Sequence, residues 1–153
     1  MLCPYCERDV DKVIDSRASD GGNSIRRRRE CQKCKRRFTT FERVQYRELT
    51  VVKKNGRKSI FDRDKLSKSI YIALKKRPID TDTVEKFISN ISRSLEEMGQ
   101  SEIPSNVIGK MVMDGLKELD PVAYVRFASV YRNFREEKDF VQFVDKLDVY
   151  KKR

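Results

Sequence analysis

Hydrophobic residues in the last two thirds of the chain recur at intervals of three and four, the period of an amphipathic helix. Five segments after residue 60 show this period and predict five helices. Asp62 or Asp64 can cap the first helix, Pro78 is expected to end it, and Gly99 is expected to end the second. The apolar stripes predicted to face a core are Leu66, Ile70, Ala73 and Leu74; Val84, Phe87, Ile88, Ile91, Leu95 and Met98; Val107, Ile108, Met111, Val112, Leu116 and Leu119; Tyr124, Phe127, Ala128, Tyr131 and Phe134; and Phe140, Val141, Phe143, Val144 and Leu147.

Strand-like patterns precede these helices. Residues 49–53 and 57–61 flank Asn55-Gly56, whose two residues tolerate positive φ, and this arrangement predicts a β-hairpin. Further upstream, residues 12–15 and a return strand flank the loop 20–23. The fold class is therefore α+β, with a strand-rich first part and a mostly helical second part that carries a short β-hairpin lip.

The four cysteines form two pairs, Cys3-x-x-Cys6 and Cys31-x-x-Cys34. A two-residue spacer directs both thiolates of a pair at one ion, and two pairs complete a tetrahedral shell of four cysteines without an open position. The pattern predicts a zinc ribbon with one structural zinc ion per chain. So short a segment with few apolar side chains needs the metal in order to fold. A redox dithiol, two disulfides and an iron–sulfur cluster remain alternatives.

Positive charge is concentrated around the second cysteine pair. The chain has 35 Lys and Arg against 24 Asp and Glu, a net charge of +11, which favours a polyanionic partner. Alternation along an extended strand would place Arg26 and Arg28 on one face and Arg27 and Arg29 on the other. Guanidinium groups contact phosphates and guanine edges, so one of these pairs is expected to meet DNA. The alternative is that these cations neutralise the zinc thiolates and cover a solvated face.

Further basic residues and two phenylalanines accompany this strand. Phe38 and Phe41 are predicted to pack in the ribbon rather than to stack on bases. The residues predicted to contact DNA are Arg17, Arg26, Arg27, Arg28, Arg29, Lys35 and Arg37.

The composition disfavours several other functions. The chain has no histidine, which removes the commonest general base and any Ser-His or Cys-His nucleophile. No apolar run approaches the roughly 20 residues of a membrane span. The first residues lack the apolar core of a signal peptide. We therefore expect no membrane partner and a reducing cytoplasm, where paired cysteines bind metals more often than they form disulfides.

Lysines cluster at the predicted hairpin. Lys53 and Lys54 precede the Asn55-Gly56 turn, and Lys65 lies in the first turn of the next helix. Lysines at a turn and near a helix N-terminus can bind phosphates. By itself the pattern is more typical of an exposed, soluble hairpin.

The first part of the chain resembles the zinc ribbon of the NrdR family, bacterial repressors of ribonucleotide reductase genes. The resemblance is carried by Cys-Pro-Tyr-Cys at residues 3–6, by Val-Ile-Asp-Ser-Arg at 13–17, by residues 26–31 and by Arg-Phe-Thr-Thr-Phe-Glu at 37–42.

The second part resembles the ATP-cone, the module with which ribonucleotide reductases sense ATP and dATP. Residues 51–56 and 61–66 carry this resemblance, and residues 76–78 and 122–131 extend it nearly to residue 140. The resemblance implies a zinc ribbon DNA-binding domain over 1–46, an ATP-cone nucleotide-binding domain over 49–139, and a C-terminal helical tail over 140–153.

The joint resemblance implies a sequence-specific transcriptional repressor rather than an enzyme. Its expected partners are double-stranded promoter DNA, ATP and dATP as regulatory ligands, and further copies of itself in a nucleotide-dependent homo-oligomer at the bacterial nucleoid. Carried over by position, the nucleotide site would comprise Val51, Lys53, Lys54, Asn55, Gly56, Asp62, Lys65, Tyr124 and Tyr131. The aromatic C-terminal helices are the candidate interface between copies, or else ordinary core.

One departure from the family pattern concerns the hairpin turn. The cone motif is typically Lys-Arg-Asp-Gly, and here it is Lys53-Lys54-Asn55-Gly56. A lysine retains the charge but not the planar fork of an arginine. What Lys54 and Asn55 contact is therefore left open by the sequence.

Two other functions compete with this prediction. A nucleotide-hydrolysing or nucleic-acid-cleaving enzyme would need a G-x-x-x-x-G-K-[ST] loop or a carboxylate cluster for two metals, and the sequence has neither. A module that docks on RNA polymerase through its ribbon would share the zinc site but would not need to bind promoter DNA by itself.

Overall fold

A computed structural model describes the backbone of residues 1–151 and the side chains of residues 1–147. The chain divides into two compact units, Met1–Tyr46 and Arg47–Arg153. The predicted C-terminal tail over 140–153 is described as far as residue 151, and residues 152–153 lie outside the described residues. The fold is α+β, as the sequence predicts.

The first unit is an antiparallel three-stranded sheet. Strands β1 (Asp11–Ser19), β2 (Ser24–Cys31) and β3 (Arg37–Arg43) lie in the order β1-β2-β3. A short 3₁₀ turn at Asp20–Gly22 joins the first two strands. The register slips by one residue between Val13 and Asp15, which indicates a β-bulge in β1.

The second unit begins with the hairpin. Strands β4 (Thr50–Val52) and β5 (Lys58–Ile60) pair antiparallel around the Asn55-Gly56 turn, where Gly56 has a φ of 82°. A third strand, β6 (Glu102–Pro104), pairs with β4 in parallel and gives the sheet order β5-β4-β6. The predicted two-strand lip therefore forms two strands of a three-stranded sheet, with β4 in the centre.

Five helices complete this unit within the described residues: α1 (Arg63–Ala73), α2 (Thr81–Glu97), α3 (Ser105–Leu119), α4 (Pro121–Tyr131) and α5 (Glu137–Lys151). The Asp62 carboxylate accepts from the Asp64 amide and caps α1, and Asp80 caps α2 in the same way through Thr83. Gly99, with a φ of 68°, follows the end of α2, as predicted. The expectation that Pro78 ends α1 is wrong, because that helix stops at Ala73 and residues 74–76 form a turn.

The apolar core lies between these helices and the small sheet. Its most buried side chains, each below 2% exposed, include Ile70, Ile88, Leu95, Ile103 and Leu116. They come from α1, α2, β6 and α3 and occupy predicted stripe positions except for Ile103. A second cluster, built on Met113, Ala128 and Phe143, packs α5 against α3 and α4.

A polar pair reinforces the helical unit. The Arg77 guanidinium donates twice to the carboxylate of Asp120, at 2.6 and 3.0 Å, and Asp120 is 4% exposed. This bidentate contact joins the segment after α1 to the start of α4. The Arg126 guanidinium also donates to the Ala73 carbonyl oxygen near the end of α1.

None of the helices in the described range is long and apolar enough to cross a membrane.

Candidate functional site

The four cysteine sulfurs of the first unit converge on one point. All four Sγ atoms lie within 4.8 Å of one another, and the Cys3–Cys34 and Cys6–Cys31 sulfur pairs are 3.6 Å apart. A tetrahedral zinc site with bonds of about 2.3 Å has sulfur–sulfur edges of about 3.8 Å. The donor set and its spacing fit one zinc ion with four thiolates.

The two thiols of the second knuckle differ in acidity. The Cys34 backbone amide lies 3.5 Å from Cys31 Sγ and is the largest of the contacts that lower the pKa of the Cys31 thiol from 9.0 to about 6. The Arg36 amide likewise favours the Cys34 thiolate, but burial and the neighbouring thiols outweigh it and raise the pKa of Cys34 to about 11. Amide donors stabilise the charged sulfur. In the first knuckle the Tyr5 amide lies 3.5 Å from Cys3 Sγ in the same arrangement. Because all four positions of a tetrahedral shell are filled by protein, the site is suited to a structural ion.

The arginines of β2 divide into two pairs with different surroundings. Arg27 donates to Glu42 at 2.6 Å and to Ser16 at 3.0 Å. Arg29 donates to Asp11 at 2.7 Å and to Thr40 at 2.9 Å. Their side chains are only 28% and 17% exposed. Both arginines therefore link β2 to its neighbouring strands.

Arg26 and Arg28 lie on the other face of the sheet and are exposed. Neither makes an ion pair with any residue in the described part of the chain. Across β1, Arg26 is paired with Arg17, which is 77% exposed and contacts Asp15 at 2.9 Å. This face therefore presents guanidinium groups to solvent, and we call Arg17, Arg26 and Arg28 the arginine face.

Phe41 also lies on the arginine face. It is paired with Arg26 across β3, is 45% exposed, and has the Arg43 guanidinium 4.8 Å from its ring centroid. The expectation that both phenylalanines pack in the ribbon is wrong for Phe41, because the alternation of β3 turns it to the same side as Arg26. Phe38 is half-buried on the opposite face, beside Arg29.

The two remaining basic residues of the predicted DNA-contacting set flank the second knuckle. Lys35 is exposed and has a φ of 62° immediately after Cys34. Arg37 begins β3, is 62% exposed, and contacts Glu30 at 3.3 Å. Both are accessible, and Arg37 would have to exchange a weak surface ion pair for any contact with phosphate.

The hairpin turn of the second unit is built by its own backbone. The Gly56 amide donates to the Lys53 carbonyl oxygen at 2.9 Å, and the Asn55 side-chain oxygen accepts from the Arg57 amide at 3.0 Å. Asn55 therefore shapes the turn. The side chains of Lys53 and Lys54 are exposed at this turn.

Three other residues predicted to line the nucleotide site lie within or close to the hairpin in sequence, and they make different contacts. Val51 is half-buried in the central strand β4, paired with Ser59 on one side and with Ile103 on the other. The Asp62 carboxylate serves as the N-cap of α1. Lys65 is exposed in the first turn of that helix.

The two tyrosines have different environments. Tyr124 packs against Phe143 of α5, with ring centroids 5.2 Å apart, and belongs to the apolar clusters. Tyr131 lies at the end of α4, and its ring centroid is 5.8 Å from the Lys54 ammonium nitrogen. The structure thus brings one predicted tyrosine to the hairpin turn and packs the other against the C-terminal helix.

Sequence reasoning missed two features of these sites. The exposure of Phe41 was missed, although the strand alternation that separates the arginine pairs also places this ring beside Arg26. The role of Gly109 was missed as well, yet a Cβ at this position would overlap the ring of Tyr131. No helical pattern indicates a glycine of this kind, because its role depends on a ring from another helix.

Comparisons with known proteins identify a family for each part of the chain. Residues 1–42 match the family described as "Transcriptional repressor NrdR-like, N-terminal domain", and residues 49–137 match the ATP cone domain. The chain is 76% identical over its full length to the full length of a Pelagibacter ubique protein named "Transcriptional repressor NrdR".

More distant relatives carry the same name. A Phenylobacterium zucineum protein is 58% identical over 94% of this chain and 93% of its own length. A Rhodospirillum rubrum protein is 57% identical over 96% of this chain and 97% of its own. These matches confirm the resemblance, and they favour a regulator over an enzyme. The chain belongs to the NrdR family.

Proposed function

We propose that this protein is a transcriptional repressor that binds promoter DNA through the arginine face and senses adenine nucleotides through its cone, with ribonucleotide reductase genes as its targets. The observation that carries the proposal is the division of the β2 arginines. Arg27 and Arg29 are held by acceptors within their own sheet, whereas Arg26 and Arg28 are exposed. A zinc-stabilised sheet that presents exposed guanidinium groups is suited to phosphate contacts and to bidentate contacts with guanine.

Double-stranded DNA fits this face better than a docking site on a protein does. Three exposed arginines lie on adjacent strands, and Phe41 with Arg43 continues the same face. The single acid in contact with the arginine face is Asp15, among the ion pairs of the described residues. A surface that presents several exposed guanidinium groups is typical of phosphate recognition.

The test compares two double variants that remove the same charge. Arg26→Gln with Arg28→Gln should weaken binding to a promoter fragment by roughly 1–3 kcal/mol for each base that an arginine no longer reads. Arg8→Gln with Lys33→Gln removes two exposed charges elsewhere in the ribbon and is the control. We expect the control variant to retain much more of the wild-type affinity for promoter DNA than Arg26→Gln with Arg28→Gln does. It should also keep most of the preference for promoter DNA over random DNA.

Zinc content and salt dependence complete this experiment. Both variants should retain one zinc per chain, because neither removes a thiolate. The slope of log K against log salt concentration should be near −0.9 for each phosphate contacted. Equal losses of affinity in the two double variants would mean that binding is a diffuse electrostatic effect, and the assignment of the arginine face would be wrong.

The proposed nucleotide site comprises Lys53, Lys54 and Lys65 at the hairpin and the start of α1, with Val51, Gly56 and Tyr131 beside them. Support comes from the exposure of all three lysines and from the cone family match. Asn55, Asp62 and Tyr124 belong to the site as we propose it, in supporting roles: turn formation, helix capping and packing.

A homo-oligomer is part of the proposal because a single site discriminates too weakly between ATP and dATP. ATP and dATP differ by one hydroxyl, and a hydrogen bond made or left unmade in a buried site is worth about 1–3 kcal/mol. Moving a two-state equilibrium from mostly one state to mostly the other takes about 5.5 kcal/mol. Several cones acting together can add such small preferences.

The exposed apolar residues of α5 are the proposed contact between copies. Phe140, Val141 and Val144 are 43%, 57% and 38% exposed, whereas Phe134 and Phe143 contact each other edge to face within the unit. The molar mass in solution, measured with ATP and then with dATP at matched saturation, should differ. A monomer in both cases that still switches its DNA binding would disprove the oligomeric mechanism.

A further inference from the structure

A contact between the hairpin and α4 ties one proposed nucleotide residue to another. The ammonium of Lys54 lies over the ring of Tyr131, 5.8 Å from its centroid. This separation is within the range in which a cation is attracted to the face of an aromatic ring. Lys54 is exposed and has no ion pair within the described residues, so this ring is the contact that orients its charged group.

The Tyr131 ring is itself held in place by α3. Its hydroxyl donates to the Asn106 carbonyl oxygen at 3.1 Å. The ring lies against Gly109, where any Cβ would overlap its edge. Phe127, one turn earlier on α4, stacks near it with centroids 6.0 Å apart. A bare glycine, a hydrogen bond and a neighbouring ring therefore fix the orientation of the Tyr131 ring.

We propose that Tyr131 is a positioning residue for the nucleotide site, which acts by holding the Lys54 ammonium ready for a phosphate of the bound nucleotide. The inference rests on the proposed nucleotide-sensing function of the cone. A lysine side chain in water samples many rotamers, and ordering it on binding costs affinity. A ring face attracts the ammonium without using up all three of its N–H donors, so donors remain for phosphate oxygens.

This role differs from direct contact between Tyr131 and the nucleotide. If the ring acts through Lys54, its removal matters only while the ammonium is present. If the ring contacts the base or the ribose, its removal matters whatever stands at position 54. A double-mutant cycle separates these cases, because only interacting residues give non-additive effects.

The experiment measures ATP affinity of the full chain by calorimetry. Tyr131→Leu should weaken ATP binding about two- to five-fold, the equivalent of the 0.5–1 kcal/mol of an exposed cation–π contact. Tyr131→Phe keeps the ring face and should stay close to the wild type. In a Lys54→Met background, Tyr131→Leu should cause no further loss of affinity. Additive losses of affinity from the two substitutions would overturn the proposal.

Two glycines of α3 provide a matched pair of variants. Gly109→Ala should displace the Tyr131 ring and reproduce the effect of Tyr131→Leu on ATP affinity. Gly115 lies in the same helix, and a Cβ there would overlap the ring of Phe87 instead. Gly115→Ala should therefore destabilise the cone in a similar way and leave ATP affinity unchanged.

The outcomes distinguish the inference from the function on which it rests. A wild-type chain that binds no adenine nucleotide would refute the proposed sensing function. A wild-type chain that binds ATP, with equal affinities in the Gly109→Ala and Gly115→Ala variants, would refute the positioning role alone. If Gly109→Ala fails to fold, the Tyr131→Leu and Lys54→Met cycle decides the question by itself.

Discussion

The two units of this molecule are stabilised by different physical means. In residues 1–46 the buried residues are Cys3, Asp20, Ser24 and Cys31, so two of the four are cysteines and none is a large apolar side chain. The second unit buries a contiguous apolar core from α1, α2, α3 and the small sheet. A sheet with so little buried apolar surface depends on its metal, whereas the cone depends on packing.

This difference suits the two proposed tasks. A ribbon without an apolar core can leave both faces of its sheet to polar and charged side chains, so the arginine face need not cover anything. The cone has its own core, and its hairpin turn and exposed lysines lie outside that core. The comparison predicts that damage to one unit leaves the other folded, and Cys31→Ser and Leu95→Ala test this prediction.

The largest effect is expected from Cys31→Ser. Losing one thiolate removes much of the zinc-binding free energy, which in small zinc domains is on the order of 10–16 kcal/mol and is also their folding free energy. We expect loss of zinc and of DNA binding, while the helical circular dichroism of the cone persists. Lys33→Ser, an exposed change in the same knuckle, is the control. DNA affinity that survives removal of the metal would contradict this account of the ribbon.

A substitution in the apolar core of the cone should have the opposite effect, because it should destabilise the cone and leave the ribbon folded. Leu95 on α2 is fully buried, so Leu95→Ala should destabilise the cone by about 2–5 kcal/mol through reduced burial and the remaining cavity. Ile72→Ala, at a position that is 65% exposed, should change stability by about 0.5 kcal/mol or less. Chemical denaturation of both variants measures this. Zinc content that fell along with the stability of the cone in Leu95→Ala would show that the units do not fold independently.

A smaller, pH-dependent effect should come from the Arg77–Asp120 pair. The hydrogen bond from Arg77 holds the pKa of Asp120 below its ordinary value of 3.8. A depressed carboxyl pKa contributes stability that is present above the unfolded value and is lost as pH falls through the folded value. Asp120→Asn should therefore be less stable than the wild type at pH 7, with the difference shrinking below about pH 4.

Thermal melts of the cone followed by helical circular dichroism measure this difference, since that signal does not depend on the zinc ribbon. Asp114→Asn, at an exposed position of α3, should melt like the wild type at every pH. A stability difference for Asp120→Asn that stayed constant from pH 7 to pH 3 would exclude the ion pair as its cause.

Local patterns in the sequence were sufficient for much of this architecture. The Cys-x-x-Cys spacings predict the four convergent sulfurs, because the geometry of each knuckle is set within a few residues. The Asn55-Gly56 turn predicts β4 and β5 for the same reason. Strand β6 was missed because three residues between two helices have no period to detect, and their partner strand lies about 50 residues earlier in the chain.

The candidate sites also depend on contacts between distant residues, which local sequence patterns do not predict. Alternation along β2 separates Arg26 and Arg28 from Arg27 and Arg29, but it does not indicate which pair is exposed. That depends on Asp11 and Glu42, which come from other strands in a register set partly by the bulge in β1. The contact of Tyr131 with Lys54 likewise joins residues 77 positions apart, so no local pattern predicts it.

The central claim is that nucleotide binding in the cone controls DNA binding by the ribbon. Its most direct test is the affinity of the full chain for promoter DNA without nucleotide, with ATP and with dATP, for the wild type and for Lys53→Ala. We predict that the wild-type affinity changes with the nucleotide supplied. Lys53→Ala should respond weakly to both nucleotides while keeping its zinc, and Lys68→Ala, an exposed lysine on α1, should respond like the wild type. A wild-type affinity that is the same under all three conditions would contradict the account.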